Sequence, residues 1–389
     1  MLPPLGDNNP RVHFFNLDIL RFFAAFMIVI MHGYRAVLEW TQVPEVLLKN
    51  TSNRIYQEEN LNHTGLFLKR LIDNFDLGVE FFFLISGFLI TYLLLSEMKS
   101  TGKIDIVKFY LRRLLRIWPL YFLIIALTPF IQIWTDSPHP NYLWSVFFVN
   151  NYASIFHGQF EIGLAHLWSI CIEEHFYLFW PVLIFLIPKP KLPLLFASII
   201  CISFFFKWYY YQFYPNWDFH LKLNTLCRMD TLAIGAWIAW YALKKNRVLN
   251  FSIWIRLIVF ITFFILICFV DTHHFATVFE AMFLRLIFTL LFVFILLNYL
   301  FNPNVCFNFK KKNALHYLGK ISFGIYMYHN ILFGLLFQKV IWPFKLEGFW
   351  WFWLIYLSAI AIISILSFEI LEKPILKFKD RFAIVPTRS

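Results

Sequence analysis

Ten apolar stretches of about twenty residues, spread over the whole chain, constrain its fold more than any other feature. In helical form, a run of this length spans the hydrocarbon core of a bilayer. The sixth and ninth stretches are the least hydrophobic of the set. The stretches are residues 14–37, 78–96, 114–134, 166–187, 192–211, 226–243, 251–270, 277–300, 316–337 and 349–371. We therefore predict an all-α, polytopic integral membrane protein of about ten transmembrane helices.

Composition supports this class and excludes a soluble enzyme built around one core. Of the 389 residues, 60% are hydrophobic and 15% are charged, whereas soluble proteins are close to half apolar. The net charge of +11 comes from basic residues in short segments between the apolar runs. We therefore expect the lipid bilayer, and no nucleic acid, as the partner of this charge. No Gly/Ser linker divides the chain, so we predict one domain over residues 14–376 with short tails, 1–13 and 377–389.

Basic residues also predict the orientation in the membrane. The loop 135–165 contains no Lys or Arg, whereas every second loop is rich in them. The basic segments are Lys99 to Arg116, Lys189 to Lys191, Lys244 to Arg247, Lys310 to Lys312, and Lys373 to Arg388. Because basic loops remain on the cytoplasmic side, we expect both termini to be cytoplasmic in a multi-pass protein of the cell (inner) membrane.

Ionisable and hydroxyl side chains interrupt five of the apolar stretches. Intramembrane ionisable groups need a partner or a wet cavity, which makes them functional candidates. The groups are Asp18, Arg21 and His32 in the first stretch, Glu80 and Ser86 in the second, His166, Ser169, Glu173, Glu174 and His175 in the fourth, Arg228 and Asp230 in the sixth, and His329 in the ninth. Contributions from five helices indicate a shared polar interior.

Helical spacing places several of these groups on common faces. Arg21 and His32 are eleven residues apart, so they share a face about 16 Å apart along the axis. His166, Ser169, Glu173 and Tyr177 form a stripe that can face a cavity. Glu174 lies about 100° from that stripe, and we expect it to contact another helix.

Seven segments, in order, resemble the acyltransferase-3 family of integral membrane O-acyltransferases. They are "LDILRFFAAFMIVIMH", with Arg21 and His32 in the Arg–x10–His motif, "GVEFFFLISGFLIT", "RRLLRIWPLY", "HLWSICIEEHFYLFWP", "RMDTLAIG", "LGKISFGIYMYH" and "LEKPIL". The resemblance covers residues 14–376. Glu80 stands where the family often has Asp, and His175 where Gln is frequent. The sequence ends just after the tenth stretch, so we expect no fused extracytoplasmic hydrolase-like domain.

The resemblance implies transfer of an acyl group, such as acetyl, from cytoplasmic acyl-CoA to a hydroxyl of an extracytoplasmic glycan or glycolipid. His32 suits the general base because neutral imidazole titrates near physiological pH, and Glu173 is the expected carboxylate partner. A transient acyl-His32 is an alternative. Arg113 and Arg116 are expected to hold the donor phosphates, with Arg21 near the pantetheine.

Further substrate-binding candidates are the other polar groups of the spans. They are Glu80, Ser86, His166, Ser169, Glu174, Arg228, Asp230 and His329. We expect no metal and no tightly bound cofactor, with acetyl-CoA or another acyl-CoA as co-substrate.

Structural interpretations compete with these roles. Arg113 and Arg116 could serve only as topology signals. Glu173 or Glu174 could pair with Arg228, Asp18 could hold Arg21 at i+3, and Ser86 with Gly87 could permit close helix packing.

Two other functions also fit the sequence. Buried Glu, His and Arg suit a glycolipid or proton-coupled transporter as well as an enzyme. Within the family, a small secondary metabolite could be the acceptor instead of a glycan. Consumption of the thioester would distinguish the enzyme from the transporter.

Overall fold

The computed structural model describes residues 14–42, 63–161, 163–245, 251–272, 277–302, 314–341, 343, 349–379 and 382. In this part of the chain every regular element is helical, which confirms the all-α class. The α-helices are α1 (Phe15–Gln42), α2 (His63–Asp73), α3 (Leu77–Thr101), α4 (Ile106–Thr135), α5 (Tyr142–Val146), α6 (Asn150–His157), α7 (Leu167–Leu186), α8 (Leu192–Phe213), α9 (Trp217–Leu223), α10 (Thr225–Lys245), α11 (Ile253–Phe269), α12 (Val278–Phe301), α13 (Ala314–Leu336), α14 (Phe349–Ser367) and α15 (Lys373–Lys379). The basic segment Lys310 to Lys312 lies outside the described residues.

Seven helical segments of the described residues are long and apolar enough to cross a membrane, so the protein is a multi-pass membrane protein. They are Asn16–Arg35, Thr64–Thr101, Ile106–Thr135, Leu167–Leu186, Lys189–Phe213, Phe279–Phe301 and Trp350–Lys379. A helix lies at each of the ten predicted stretches, but α10, α11 and α13 are not among the seven. The predicted count of ten is therefore not confirmed.

The short length of α11 and the polar residues of α10 and α13 explain why these three helices are not among the seven candidate spans. At Ile253–Phe269, α11 is apolar but shorter than the other spans. The other two, α10 and α13, are the sixth and ninth stretches, in which Arg228, Asp230 and His329 lower the hydropathy. All three of these side chains are buried inside the protein, so protein rather than lipid surrounds them.

Contacts between helices show the relative directions of α1, α3 and α13. Gly78 of α3 lies against the backbone oxygen of Ala24, and Phe14 meets Tyr92 at a ring-centroid distance of 5.1 Å. Residue numbers therefore increase along α1 in the direction in which they decrease along α3, so the two helices are antiparallel. The ring of His329 in α13 packs against His32, and Gly319 packs against Asp18, so α13 runs parallel to α1.

Hydrogen bonds show the relative direction of α4 and α7. The Tyr110 hydroxyl of α4 donates to the carbonyl of Leu178 at 2.5 Å, whereas Tyr121 lies 3.8 Å from the Cys171 sulfur. These two helices are therefore antiparallel. The start of α4 and the end of α7 consequently lie at the same end of the bundle, which we call the arginine end because it contains Arg112, Arg113 and Arg116. The other end is called the opposite end.

Glycine allows α3 and α10 to approach closely. A Cβ atom at Gly87 would lie 2.0 Å from the carbonyl oxygen of Leu232, and one at Gly235 would lie 2.2 Å from that of Leu84. Any larger residue would push the backbones apart. The packing interpretation of Gly87 is therefore confirmed, and this contact holds the polar side chains of α3 and α10 in register.

Candidate active site

A cavity of about 80 Å³ lies inside the bundle toward the arginine end. Side chains from α1, α3, α4, α7 and α13 line it, and we call it the arginine cavity. Its polar lining consists of Arg21, Ser86, Arg113, Arg116, Ser169, Glu173, Tyr177, Ser322 and Tyr326. Six of the thirteen predicted site residues thus meet in one place: Arg21, Ser86, Arg113, Arg116, Ser169 and Glu173.

Helix geometry separates the neighbouring arginines of α4. Arg113 and Arg116 are three residues apart and share the face that lines the cavity. Arg112 is turned by about 100° and forms an ion pair with Glu97 at 3.0 Å. One basic sequence therefore supplies a paired structural arginine and two arginines directed at a cavity.

The arginine cavity contains more positive than negative charge. In the described part of the chain, neither Arg113 nor Arg116 has a carboxylate within ion-pair distance, and the Arg113 Nε atom has no hydrogen-bond partner. Arg21 lies 3.7 Å from Asp18, as the i+3 spacing predicts. Because Asp18 already pairs with Arg21, the one carboxylate of Glu173 faces two further guanidinium groups and cannot balance both, so the cavity is suited to an anion.

Glu173, Ser86 and Tyr177 form a polar group on one wall of the arginine cavity. The Ser86 and Tyr177 hydroxyls lie 2.5 Å apart. The Glu173 carboxylate is close to both hydroxyls and to Arg21 and Arg113. Three residues of the predicted α7 stripe, Ser169, Glu173 and Tyr177, line the cavity, whereas His166 is not part of its lining.

Glu174 faces away from this group, as its position on the helix predicts. One of its oxygens accepts a hydrogen bond from the Trp118 indole of α4 at 3.4 Å. The other carboxylate oxygen has no partner among the described residues. The suggested ion pair of Glu173 or Glu174 with Arg228 is wrong, because Arg228 pairs with Glu80 at 2.5 Å.

Three histidines from three different chain segments form a cluster beyond the cavity. The ring of His329 lies 5.1 Å from that of His32 and 5.2 Å from that of His166, measured between centroids. His166 and His329 are almost completely buried. We call these residues the histidine cluster. The sequence predicted each residue as a candidate but not that they meet.

Hydrogen bonding fixes the tautomer of His329. Its Nδ1 atom contacts the backbone carbonyl of Tyr326, and because a carbonyl only accepts, Nδ1 must carry the proton. The neutral ring then has its lone pair on Nε2. That atom is buried and has no partner in the described part of the chain, so a proton acceptor is available beside His32 and His166.

Tyr326 connects the arginine cavity to the histidine cluster. Its hydroxyl donates to the backbone carbonyl of His166 at 2.8 Å and lies 2.6 Å from the Ser169 hydroxyl. Both hydroxyls also line the cavity. Sequence reasoning missed Tyr326, although its position three residues before His329 places both on one face of α13.

The expected pair of His32 with Glu173 is not among the contacts of the described residues. The charged and titratable groups nearest His32 are His329, Arg35, His166 and Lys222. Those nearest the Glu173 carboxylate belong to the arginine cavity. Each residue stays a catalytic candidate, but the two lie in different clusters.

A network of buried ion pairs occupies the opposite end. Glu80 accepts from Arg228 at 2.5 Å and from Arg285 at 3.2 Å, and Arg285 also binds Asp76 at 2.9 Å. The Glu80 carboxylate also accepts from Thr231 at 3.1 Å.

Asp230 pairs with Lys207 in the same region. Three predicted substrate-binding residues, Glu80, Arg228 and Asp230, therefore lie in this ion network and not in the arginine cavity. Their role in binding a substrate stays a prediction.

Comparison with known proteins gives a family match over most of the chain. A family description of an acyltransferase domain, acyltransferase family 3, matches residues 14–369. The O-acetyltransferase OatA of Staphylococcus aureus is 29% identical over 340 residues, which cover 80% of this chain and 54% of that protein. The peptidoglycan O-acetyltransferase OatA of Listeria monocytogenes is 28% identical over 344 residues, or 77% of this chain and 51% of the relative.

The chain spans about half the length of the curated relatives it matches. A putative O-acetyltransferase of Staphylococcus aureus is 32% identical over 179 residues, 42% of this chain and 30% of the relative. No solved structure gives a significant match. Because the family match extends over most of the sequence and includes both the arginine cavity and the histidine cluster, the chain belongs to the acyltransferase-3 family of membrane acyltransferases.

Proposed function

We propose that the protein is a membrane O-acyltransferase. It takes an acetyl or another acyl group from acyl-CoA at the arginine end and transfers the group to a hydroxyl at the opposite side of the cell membrane. One observation carries this proposal: the positively charged arginine cavity connects through Ser169 and Tyr326 to the histidine cluster. A membrane interior tolerates such a set of polar groups only where they have partners or a function.

The donor binds at the arginine end, which in this proposal faces the cytoplasm. Coenzyme A carries phosphates, and a guanidinium group grips a phosphate with two parallel hydrogen bonds. Arg113 and Arg116 supply these forks, since no described carboxylate lies within ion-pair distance of either. Arg21 lies one helix away on the same cavity and directs the pantetheine toward the histidine cluster.

The transfer step takes place at the histidine cluster. His32 accepts the proton of the acceptor hydroxyl, the oxygen attacks the thioester carbon, and the C–S bond breaks as the C–O bond forms. The imidazolium then returns the proton to the leaving thiolate. His329 presents an unprotonated Nε2 atom beside this ring, so it can orient an N–H of His32 and support its charge. Attack by His32 itself, with a transient acyl-histidine, fits the same positions.

Glu173 acts at the donor side in this scheme. Its carboxylate is close to Arg21, Arg113 and the Ser86 and Tyr177 hydroxyls. It holds Arg21, Arg113 and the two hydroxyls in position along the donor.

The acceptor is proposed to be a glycan or glycolipid hydroxyl. Relatives are named as O-acetyltransferases, one of them acting on peptidoglycan, which favours a surface polysaccharide over a small metabolite.

Reconstitution in nanodiscs tests the reaction directly. Labelled acetyl-CoA is supplied with a mixture of cell-surface oligosaccharides, and both free coenzyme A thiol and labelled sugar are measured. We expect the thiol and acetylated sugar to appear in equal amounts. A transporter would leave the thioester intact, and that result would contradict the proposed reaction.

A further inference from the structure

A second cavity, of about 150 Å³, lies at the opposite end of the bundle. We call it the lysine cavity. Its lining comes from the segment before α7, from α8 and α9, and from α12, and includes Phe160, Lys207, Asp218, Phe219, Lys222 and Arg285. A volume of this size holds on the order of ten water molecules, which is comparable to one sugar unit.

Lys222 differs from the other cations of this region. Lys207 pairs with Asp230, and Arg285 pairs with Asp76 and Glu80. In the part of the chain that the structure describes, no carboxylate lies within ion-pair distance of Lys222, and its ammonium group lies 5.6 Å from the Phe160 ring centroid. The paired cations need no further anion, whereas the partly buried Lys222 ammonium has no such pair, since the Asp218 carboxylate in the same lining lies beyond ion-pair distance.

The aromatic lining of the lysine cavity indicates which kind of ligand carries the anion that Lys222 binds. Phe160 and Phe219 pack with ring centroids 5.6 Å apart at the cavity wall. Aromatic rings beside a small number of polar groups are typical of sites for small organic ligands rather than for simple ions. Lys222 is also among the charged groups that act electrostatically on His32, so a ligand held by Lys222 lies on the side of the bundle that contains the proposed base.

We infer that the lysine cavity binds the acceptor through a carboxylate or phosphate carried on the sugar, so that the acceptor class is an acidic saccharide. This inference rests on the proposed function, because it places the anion on Lys222 and a hydroxyl of the same sugar at His32. Asn74 stabilises the floor of the site, since its side chain binds Thr272 and the carbonyls of Ile267 and Val270. The site is therefore formed before the ligand enters.

Lys222 also gives the site a characteristic pH dependence. Burial lowers the pKa of Lys222 to about 8, and α9 lies outside the seven candidate spans. The charged and titratable groups around its ammonium group are Asp76, Arg35, Arg285, Arg228 and His32, together with Asp218 and Lys207 in the lining of the cavity. Arginines keep their charge well above pH 9, and a sugar carboxylate stays ionised from pH 7 to 9. The site should therefore lose affinity for the anion as pH rises through 8.

Binding without donor tests the site independently of catalysis. Methyl glucuronide, methyl glucoside and inorganic phosphate are titrated into the wild-type protein in phosphatidylcholine nanodiscs, which contain no anionic lipid. We expect the glucuronide to bind at least about tenfold more tightly than the neutral glucoside, because one charge-assisted hydrogen bond supplies a factor of this size. Inorganic phosphate should bind more weakly than the glucuronide.

Three variants identify the group responsible. Lys222→Gln should abolish the preference for glucuronide, whereas Lys222→Arg should keep it and remove its decline between pH 7 and 9. The control Lys244→Gln, at an exposed lysine of α10, should behave as wild type. Equal binding of both sugars, an unchanged preference in Lys222→Gln, or phosphate binding as tight as glucuronide would overturn the inference.

Acetyl transfer separates this inference from the proposed function. Glucuronide binding that depends on Lys222, without transfer to any sugar, would contradict the proposed reaction and support the site. Transfer to both sugars at equal rates and equal KM would contradict the site and support the reaction.

Discussion

The arginine cavity and the ion network at the opposite end both contain cations inside the helix bundle, but only in the ion network does each arginine pair with a carboxylate. At the opposite end, Glu80 alone accepts from both Arg228 and Arg285. At the arginine end, Arg113 and Arg116 have no carboxylate within ion-pair distance among the described residues. A buried pair is stable without a ligand, whereas buried unpaired charge is costly. Charges that form ion pairs therefore hold the helices together, whereas charges without an ion pair are available to bind a substrate.

The largest effect is expected from disrupting the ion network. Glu80→Gln removes the carboxylate charge shared by two buried arginines, which should lower the free energy of unfolding by about 3–5 kcal/mol. Thermal unfolding in detergent, followed by size-exclusion chromatography, measures the change.

An exposed pair provides the matched control for this change. Glu369 and Lys373 have side chains that are 38% and 45% exposed, so Glu369→Gln should lower stability far less than Glu80→Gln. Equal stability of the Glu80→Gln and Glu369→Gln variants would show that the ion network does not support the fold.

His32 lies between the two regions. The variant His32→Ala should therefore separate an effect on the reaction from an effect on stability. Loss of the proposed base should reduce acetyl transfer by at least about a hundredfold, while the protein inserts and folds normally. Transfer is measured with labelled acetyl-CoA in nanodiscs.

His139 serves as the control because it is exposed in the segment after α4. His139→Ala should keep wild-type activity. Substantial transfer by a correctly folded His32→Ala variant would exclude His32 as base and as nucleophile.

A smaller effect is expected from replacing arginine by lysine in the arginine cavity. The double change Arg113→Lys, Arg116→Lys keeps the charge that a topology signal needs but loses the bidentate fork. The KM for acyl-CoA should rise about thirtyfold if each fork is worth roughly 1 kcal/mol. Turnover is measured against donor concentration at saturating acceptor.

The acceptor provides the internal comparison in this experiment. The KM for the acceptor should change little, because its site lies at the opposite end. An unchanged KM for acyl-CoA would leave Arg113 and Arg116 as topology signals and move the donor site elsewhere.

The experiment that perturbs the protein least tests whether the two ends of the bundle lie on opposite sides of the membrane. With exposed Cys201 first replaced by alanine, a cysteine at Ser137 should react with an impermeant maleimide in intact cells. A cysteine at Lys103, exposed at the arginine end, should react only after lysis. The reverse pattern would contradict the proposed cytoplasmic position of the donor cavity.

Sequence periodicity predicts local structure well in this protein. The ten apolar stretches all correspond to helices, and the α7 stripe faces a cavity. Spacing within one helix is fixed by 3.6 residues per turn, so Arg113 and Arg116 share a face and Asp18 reaches Arg21. These features need no knowledge of the tertiary structure.

Partners on different helices were harder to predict. Glu80 binds Arg228 and Arg285 because a glycine contact brings α3 against α10, and nothing in a single helix encodes that choice. Among the described contacts the carboxylate expected near His32 is replaced by His329. Both cases concern the selection of a partner among several candidates of suitable chemistry.

Direct binding of coenzyme A tests the contrast between paired and unpaired cations most directly. Coenzyme A is titrated by calorimetry into nanodiscs that contain the wild type, the double variant Arg113→Gln, Arg116→Gln, or the control Lys103→Gln, Lys108→Gln, which loses the same charge on the same side. We expect a rise in Kd of roughly a hundredfold in the arginine variant, from about 1.5 kcal/mol per lost charge-assisted contact, and little change in the control. Equal affinity in the wild type and the arginine variant would contradict the assignment of the unpaired arginines to the donor.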